Sequence, residues 1–367
     1  MQRRDLIVGG LAAGAGLAGC SPASQEAAPA ASKQRASFRW TMYTTWPRNF
    51  PGLGSGAARL AETINTMSEG RLQVEVFGAG ERVPAMEVFD AVSRGSAQMG
   101  HGAAYYWKGK SPAMPFFTAL PFGMTADEMT AWLHWGGGMA LWRELYHDFN
   151  LVPFDAGNTS AQMGGWFNKR INAVEDLDGL RMRIPGLGGD VMARLGVATV
   201  NIPGGELYQA LSTGAIDAAE WVGPYNDLAF GFQKIAQYYY YPGWQEPGAT
   251  LEAIVNKDAW DALPEDLQAV VDTACKAASH TMRAEINARN AEALRELREE
   301  HDVEILRFPD AVLDALHAKA GEVVEALAER DPFARKVWDA YRPFLQSIAE
   351  STRLNDSAQL GRRRLGT

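Results

Sequence analysis

Only two cysteines, Cys20 and Cys275, and six histidines occur in the 367 residues. The histidines are scattered, and no pair brackets a glutamate at the spacing of a helical metal site. Basic stripes are missing too. With a formal charge of −9, the chain lacks the electrostatic footprint of a nucleic-acid partner. There is no Gly-x-Ser-x-Gly elbow, no P-loop, and no Gly-x-Gly-x-x-Gly after the first strand-like run. An enzymatic reading is therefore reduced to a secreted hydrolase with Glu220 as general base. Beyond the N-terminus, no apolar run reaches the length of a membrane span.

The N-terminus reads as an export signal. Arg3 and Arg4 precede an apolar run from Leu6 to Leu17, which ends in Leu17-Ala18-Gly19-Cys20. Those four residues resemble a bacterial lipobox. Residues 1–19 are then a lipoprotein signal peptide, and Cys20 is the lipidated first residue of the mature chain. Residues 20–36, rich in Ala, Ser, Gln and Pro, read as a disordered tether. Cys275 is left as a lone buried thiol, so no intrachain disulfide forms. The expected location is the periplasm, on a membrane through the lipid.

The full chain is 47% hydrophobic, enough for two lobes. Alternating runs at Phe38–Tyr43, Leu72–Phe77 and Ala97–Gly100 enclose helical patterns near 56–68 and 83–93. This is a βαβαβ opening, and it predicts a parallel sheet covered by helices. A strand over 151–156 leads to a turn at Gly157-Asn158-Thr159. A second such set follows, with strands near 164–168, 180–184, 198–202 and 215–221. The reading is α/β, with two lobes around a cleft. Lobe I takes 37–156 plus a return strand in about 249–262. Lobe II takes 157–248 with parts of 263–330. The pattern from Pro264 to about Glu300 is one long amphipathic helix, long enough to span both lobes. Residues 331–367 form a helical tail. Its apolar positions Val337, Trp338, Tyr341, Phe344, Leu345 and Ile348 suit either its own lobe or a homodimer contact.

Three apolar runs carry polar residues that a core strand does not need. Arg183 ends the run Leu180–Ile184, where Pro185-Gly186 follows. A guanidinium there presents a planar fork to one carboxylate, supplied by the protein or by a ligand. On spacing alone, an internal ion pair is the simpler alternative. Glu220 and Trp221 end the run from Ala215, and Gln162 opens the region. Carboxylate, amide oxygen and main-chain carbonyl make a hard-oxygen set suited to sodium or calcium. Tyr105-Tyr106-Trp107 is an aromatic cluster suited either to packing or to walling a small ligand.

These motifs resemble the substrate-binding proteins of tripartite ATP-independent periplasmic (TRAP) transporters, most closely the α-keto-acid and lactate-binding branch. The matches run in order through Gly157-Asn158-Thr159, Gln162-Met163-Gly164-Gly165-Trp166-Phe167 and Gly179-Leu180-Arg181-Met182-Arg183. They continue through Gly214-Ala215-Ile216-Asp217-Ala218, Glu220-Trp221-Val222-Gly223-Pro224-Tyr225 and Tyr239-Tyr240-Tyr241-Pro242-Gly243-Trp244. The resemblance implies a two-lobe periplasmic-binding-protein fold and capture rather than catalysis. It implies that Arg183 grips the carboxylate of a small 2-oxo or 2-hydroxy monocarboxylate. It also implies that Gln162, Glu220 and the Trp221 main chain hold a sodium or calcium ion bridging that substrate. Tyr105 or Tyr106 would wall the pocket, with Asn158 nearby. Membrane permease subunits are the implied partners, and a tethered sensor handing the ligand to a signalling receptor is the alternative. Two departures bear on pocket shape: the loop Tyr105-Tyr106-Trp107-Lys108, and the bulky Trp46 after the first strand.

Overall fold

The computed structural model describes residues 36–363. The expected signal peptide, Cys20 and nearly all of the expected tether lie outside the described residues, as do the last four positions. The described strands, in chain order, are β1 Phe38–Thr44, β2 Leu72–Phe77, β3 Met99–Gly102, β4 Leu151–Asn158, β5 Gly165–Phe167, β6 Arg181–Arg183, β7 Ala198–Val200, β8 Ala218–Ala219, β9 Tyr238–Tyr241, β10 Thr250–Asn256 and β11 Glu304–Arg307. They form two sheets. The first has the order β2-β1-β3-β10-β4, the second β11-β9-β5-β8-β6-β7. The helices used below are α1 Gly54–Met67, α2 Val88–Ser93, α3 Ala126–Trp135, α4 Gly138–His147, α5 Gly186–Ala193, α6 Leu207–Ser212, α7 Pro224–Phe230, α8 Lys257–Asp261, α9 Glu265–Glu299, α10 Asp310–Arg330 and α11 Pro332–Thr352.

The opening behaves as its pattern predicts. In β1 the inward positions Trp40, Met42 and Thr44 are buried and alternate with more exposed residues. β1 runs parallel to both β2 and β3. The returning β10 then inserts antiparallel between β3 and β4, so the first sheet is mixed. The second sheet is mixed too. β6 is parallel to β7 and β8, but β5 runs antiparallel to β8 and β9. The strand–helix order suggested a second parallel set there, but period-two alternation carries no information on strand direction.

Several boundaries differ from expectation. β3 begins two residues later than its apolar run. The turn expected at Gly157-Asn158-Thr159 is strand as far as Asn158, because β10 pairs with it up to that point. The strand expected over 215–221 pairs only at Ala218 and Ala219, which leaves Glu220 and Trp221 just past its end. Tyr238–Tyr241 is a strand paired with both β11 and β5.

Two segments carry the chain between the sheets. Residues 159–164 lead from β4 to β5, and residues 242–249 lead from β9 back to β10. They run beside each other: Gln162 N–H donates to the Glu246 carbonyl at 3.2 Å, and Thr159 N–H to the Ala249 carbonyl at 3.0 Å. The third link is α9, whose 35 residues extend about 50 Å. It packs on β4 and α1 of the first lobe and on α7 of the second. Met282 and Ile286 are buried along that seam.

The tail also packs on its own chain. α10 lies on α5, while α11 lies on α3, α4 and α10. Val337 and Tyr341 are fully buried, and the Tyr341 hydroxyl accepts from Met124 N–H at 3.0 Å. Trp338, Phe344 and Leu345 pack partly buried against the same core. Most of the face offered above for a partner therefore turns inward.

Candidate ligand-binding site

The two crossing segments and the ends of β6 and β8 converge on one buried polar cluster. Gln162 comes from the first crossing and Glu246 from the second. Arg183 ends β6, and Glu220 and Trp221 follow β8. Every one of them is at least 95% buried, with Arg183 at 1% and Glu220 at 0% exposure. Two glycines let the chain come this close. A Cβ on Gly243 would sit 2.2 Å from the Gln162 carbonyl oxygen, and one on Gly204 would sit 2.3 Å from the Trp221 ring.

Arg183 is held on its back side. Its Nη1 donates to the Glu220 carbonyl at 2.5 Å and to Glu220 Oε2 at 3.3 Å, and Nε donates to the Ile202 carbonyl at 3.3 Å. Its guanidinium carbon stands 5.2 Å from the centre of a Trp221 ring. An internal ion pair thus exists, yet it leaves Arg183 Nη2 buried and without a partner. Glu220 Oε1 and Gln162 Oε1 are orphaned in the same way. Gln162 is oriented by its other end, since Nε2 donates to Thr159 Oγ1 at 2.9 Å and to Glu246 Oε2 at 2.8 Å. That fixes which side of the amide carries the free oxygen. Buried polar atoms are rarely left unpaired. Here three of them come from residues joined or adjoining: one cationic donor and two hard-oxygen acceptors. The orphaned carboxylate and amide oxygens fit a hard cation, and the orphaned N–H fits a carboxylate.

Burial pushes the Glu220 carboxyl well above the usual range. The neighbouring Glu246 charge pushes it further, and Arg183 opposes both. Burial likewise raises Glu246, again against Arg183. Both carboxyls are therefore biased toward the protonated form.

The first lobe supplies the opposite wall. A 3-10 turn, Ala104–Trp107, carries Tyr105 and Tyr106, whose rings meet edge-on with centroids 4.8 Å apart. Tyr105 also faces Gly186 at the start of α5. Burial raises both hydroxyls, Tyr106 to about 12, so both stay protonated donors. Trp46 packs edge-on against Trp221 and tilts over Tyr106. Its indole N–H donates to His101 Nδ1 at 2.8 Å, while His101 Nε2 donates to the Ala156 carbonyl at 3.3 Å. Burial lowers His101 to about 4, which keeps the ring neutral and able to accept from Trp46. At the rim, Lys108 Nζ donates to Asp190 at 2.8 Å and to the Gly186 carbonyl at 3.3 Å, joining the two lobes.

Of the residues singled out from the sequence, Arg183, Gln162, Glu220, Trp221, Tyr105 and Tyr106 meet around this cluster. Asn158 stands to the side: its Oδ1 accepts from Ser160 N–H at 2.7 Å, and its Nδ2 donates to Thr250 Oγ1 at 3.5 Å. Its neighbour Thr159 is the residue that meets Gln162. Glu246 was missed. The signal for it was faint: a Gln-Glu pair enclosed by Pro242-Gly243 and Pro247-Gly248 next to an aromatic run.

Residues 43–331 match the family described as bacterial extracellular solute-binding protein, family 7. A monocarboxylate 2-oxoacid-binding periplasmic protein of Nostoc sp. is 45% identical over 318 residues, or 87% of each chain. A TRAP periplasmic solute-binding protein from Pseudoalteromonas atlantica, solved with bound sodium and pyruvate, superposes with a TM-score of 0.87. It is 43% identical, and the match covers 89% of this chain and 100% of that one. The counterpart from Colwellia psychrerythraea, solved with calcium and pyruvate, gives the same TM-score, identity and coverage. The chain belongs to family 7 of the bacterial extracellular solute-binding proteins, among the solute-binding proteins of TRAP transporters.

Proposed function

We propose that this protein captures a small 2-oxo or 2-hydroxy monocarboxylate outside the cytoplasm and delivers it to the membrane permease of a TRAP transporter. The supporting observation is the trio of buried, unpartnered atoms Arg183 Nη2, Glu220 Oε1 and Gln162 Oε1 within one cluster. Two relatives more than 40% identical bind pyruvate with sodium or calcium, and their chemistry suits this trio.

Each residue then has a defined task. Arg183, locked by the Glu220 and Ile202 carbonyls, offers its free N–H to the ligand carboxylate. Gln162 Oε1, Glu220 and the Trp221 carbonyl would hold the cation. When bound, that cation would supply positive charge to neutralise the ligand carboxylate. Tyr105 and Tyr106 donate hydroxyl hydrogens, and with Trp46 and Trp221 they exclude water, which strengthens every charged contact. No covalent step is required, so the protein acts as a receptor rather than an enzyme. The site is enclosed, so the ligand enters by a hinge opening at 159–164 and 242–249, where the chain crosses between lobes. Cys20, as a lipidated residue, would hold the receptor at the membrane surface.

The test is calorimetric titration of the purified protein with pyruvate, longer 2-oxo acids and lactate, with sodium or calcium present and then removed by chelation and desalting. Tight, cation-dependent binding of one of them is expected. A folded protein that binds none of them would overturn the assignment.

A further inference from the structure

Trp46 sits in the seam between the lobes. It is 2% exposed, and its ring partners come from both sides. Tyr106 and His101 of the first lobe lie 6.0 and 6.2 Å away between centroids, and Trp221 of the second lies 6.1 Å away. Trp221 stands against the Arg183 guanidinium, and Tyr106 is within its electrostatic reach. The indole therefore borders the buried cluster from the first-lobe side. It is also fixed at both ends. Its N–H is committed to His101 Nδ1 at 2.8 Å, and the far nitrogen of that imidazole reaches the Ala156 carbonyl at 3.3 Å. The Trp46 carbonyl accepts from Thr44 Oγ1 and from Ala79 N–H, each at 2.8 Å, and Thr45 N–H donates to the His101 carbonyl at 3.0 Å. Trp221 differs, since its indole N–H is buried without a partner. Trp46 has no free N–H, so its side chain offers a ligand hydrocarbon alone.

Arg183 belongs to the second lobe. A ligand held there by its carboxylate extends toward the first. On that side Tyr105 and Tyr106 carry hydroxyls suited to the 2-oxygen, while Trp46 carries an apolar ring suited to the alkyl end. An indole is larger than pyruvate, so its presence there decides how much chain the site accepts. A wall tied through its ring nitrogen and its main chain does not yield cheaply, and forcing extra methylenes against it is costly. We propose that Trp46 is the stop that limits the ligand's length, making this a receptor for pyruvate-sized acids that discriminates against longer 2-oxo acids. The proposal rests on the function proposed above and narrows its substrate class. A tryptophan that served packing alone would treat every ligand alike. A stop acts on the ratio between short and long ones.

Full-length wild type, Trp46→Ala and Trp46→Phe are titrated by calorimetry with pyruvate and with 2-oxohexanoate, sodium and calcium both present, and their melting is recorded alongside. Wild type is expected to prefer pyruvate by about tenfold to two-hundredfold. W46A should bind 2-oxohexanoate at least about tenfold more tightly than wild type does, because the longer chain fills the vacated space. W46F should show a smaller gain, and it carries the comparison if W46A melts below the temperature of the assay. A gain of binding cannot come from damage to the fold, so it separates a stop from a packing residue. Wild type that binds 2-oxohexanoate within about threefold of pyruvate would overturn the proposal. Folded variants that lose affinity for both acids by the same factor would overturn it too. Wild type that binds no 2-oxo acid of any length would instead sink the reading on which the proposal rests.

Discussion

Arg183→Ala separates a ligand-binding arginine from a structural one. The guanidinium is 1% exposed, and its internal bonds go to two main-chain carbonyls and one carboxylate oxygen. Deleting it removes the only donor of the orphan trio and leaves Glu220 and Glu246 without their shared cation. Loss of one partner from a buried pair costs about 3–5 kcal/mol. Applied to the ligand carboxylate, this is about a hundredfold to several-thousandfold in Kd. Calorimetry with pyruvate at saturating calcium measures it, and a thermal melt of the ligand-free protein reports what the internal bonds were worth. Arg183→Lys is the companion variant. It keeps the charge, but an ammonium cannot hold the Glu220 carbonyl and a ligand through a planar fork. Its expected loss is about 1.5–3 kcal/mol, that of one charged hydrogen bond. Binding by Arg183→Ala within about tenfold of wild type, with a lowered melting temperature, would show that Arg183 serves the fold alone, and the argument from the orphan N–H would fail.

Three further outcomes follow from the same geometry. Glu252 is buried in β10, where it accepts from Trp107 Nε1 at 2.5 Å and from the Tyr146 hydroxyl at 2.7 Å, and burial raises it to about 7. A carboxyl raised on folding stabilises fully below its unfolded value and loses that contribution as pH climbs to the folded one. Stability should therefore fall by about 3 kcal/mol between pH 4.5 and 7 on account of this group, and Glu252→Gln should flatten that slope in urea unfolding. His101→Phe leaves the buried Trp46 N–H without an acceptor and should cost about 1–3 kcal/mol in the same assay, while loosening discrimination against longer 2-oxo acids. Asp190→Asn removes the half-exposed Lys108 bridge at the rim and should change pyruvate affinity by less than about fivefold, as surface pairs contribute little.

The architecture was legible where burial follows a period. The alternation of Phe38–Thr44 and the long stripe from Leu267 to Ile286 each record one buried face, and both elements lie where expected. Pairing left no such record. Whether β10 enters between β3 and β4, and whether β5 runs against its neighbours, depends on how the chain crosses between lobes. Nothing in a local pattern reports that. The short β8 shows the limit well. Seven residues read as strand, yet only Ala218 and Ala219 are assigned to it, and Glu220 lies just past the end with its N–H on the Arg183 carbonyl and its own carbonyl accepting from Arg183 Nη1.

The site divides along the same line. Arg183 could be found because an arginine at the end of an apolar strand is a local anomaly, costly unless something answers it. Gln162 and Glu220 read as hard-oxygen donors by residue type, but only a family pattern brought them to one ion. Glu246 had neither support. It sits in a non-repetitive crossing between two Pro-Gly steps, where a glutamate is unremarked in a linear reading and an exposed loop is the ordinary inference. Its place in the site appears only in three dimensions, where its Oε2 accepts from Gln162 Nε2 and its carboxyl lies within reach of Arg183. Resemblance identifies residues that hold a ligand, but the net charge of the enclosure is a property of all its walls together.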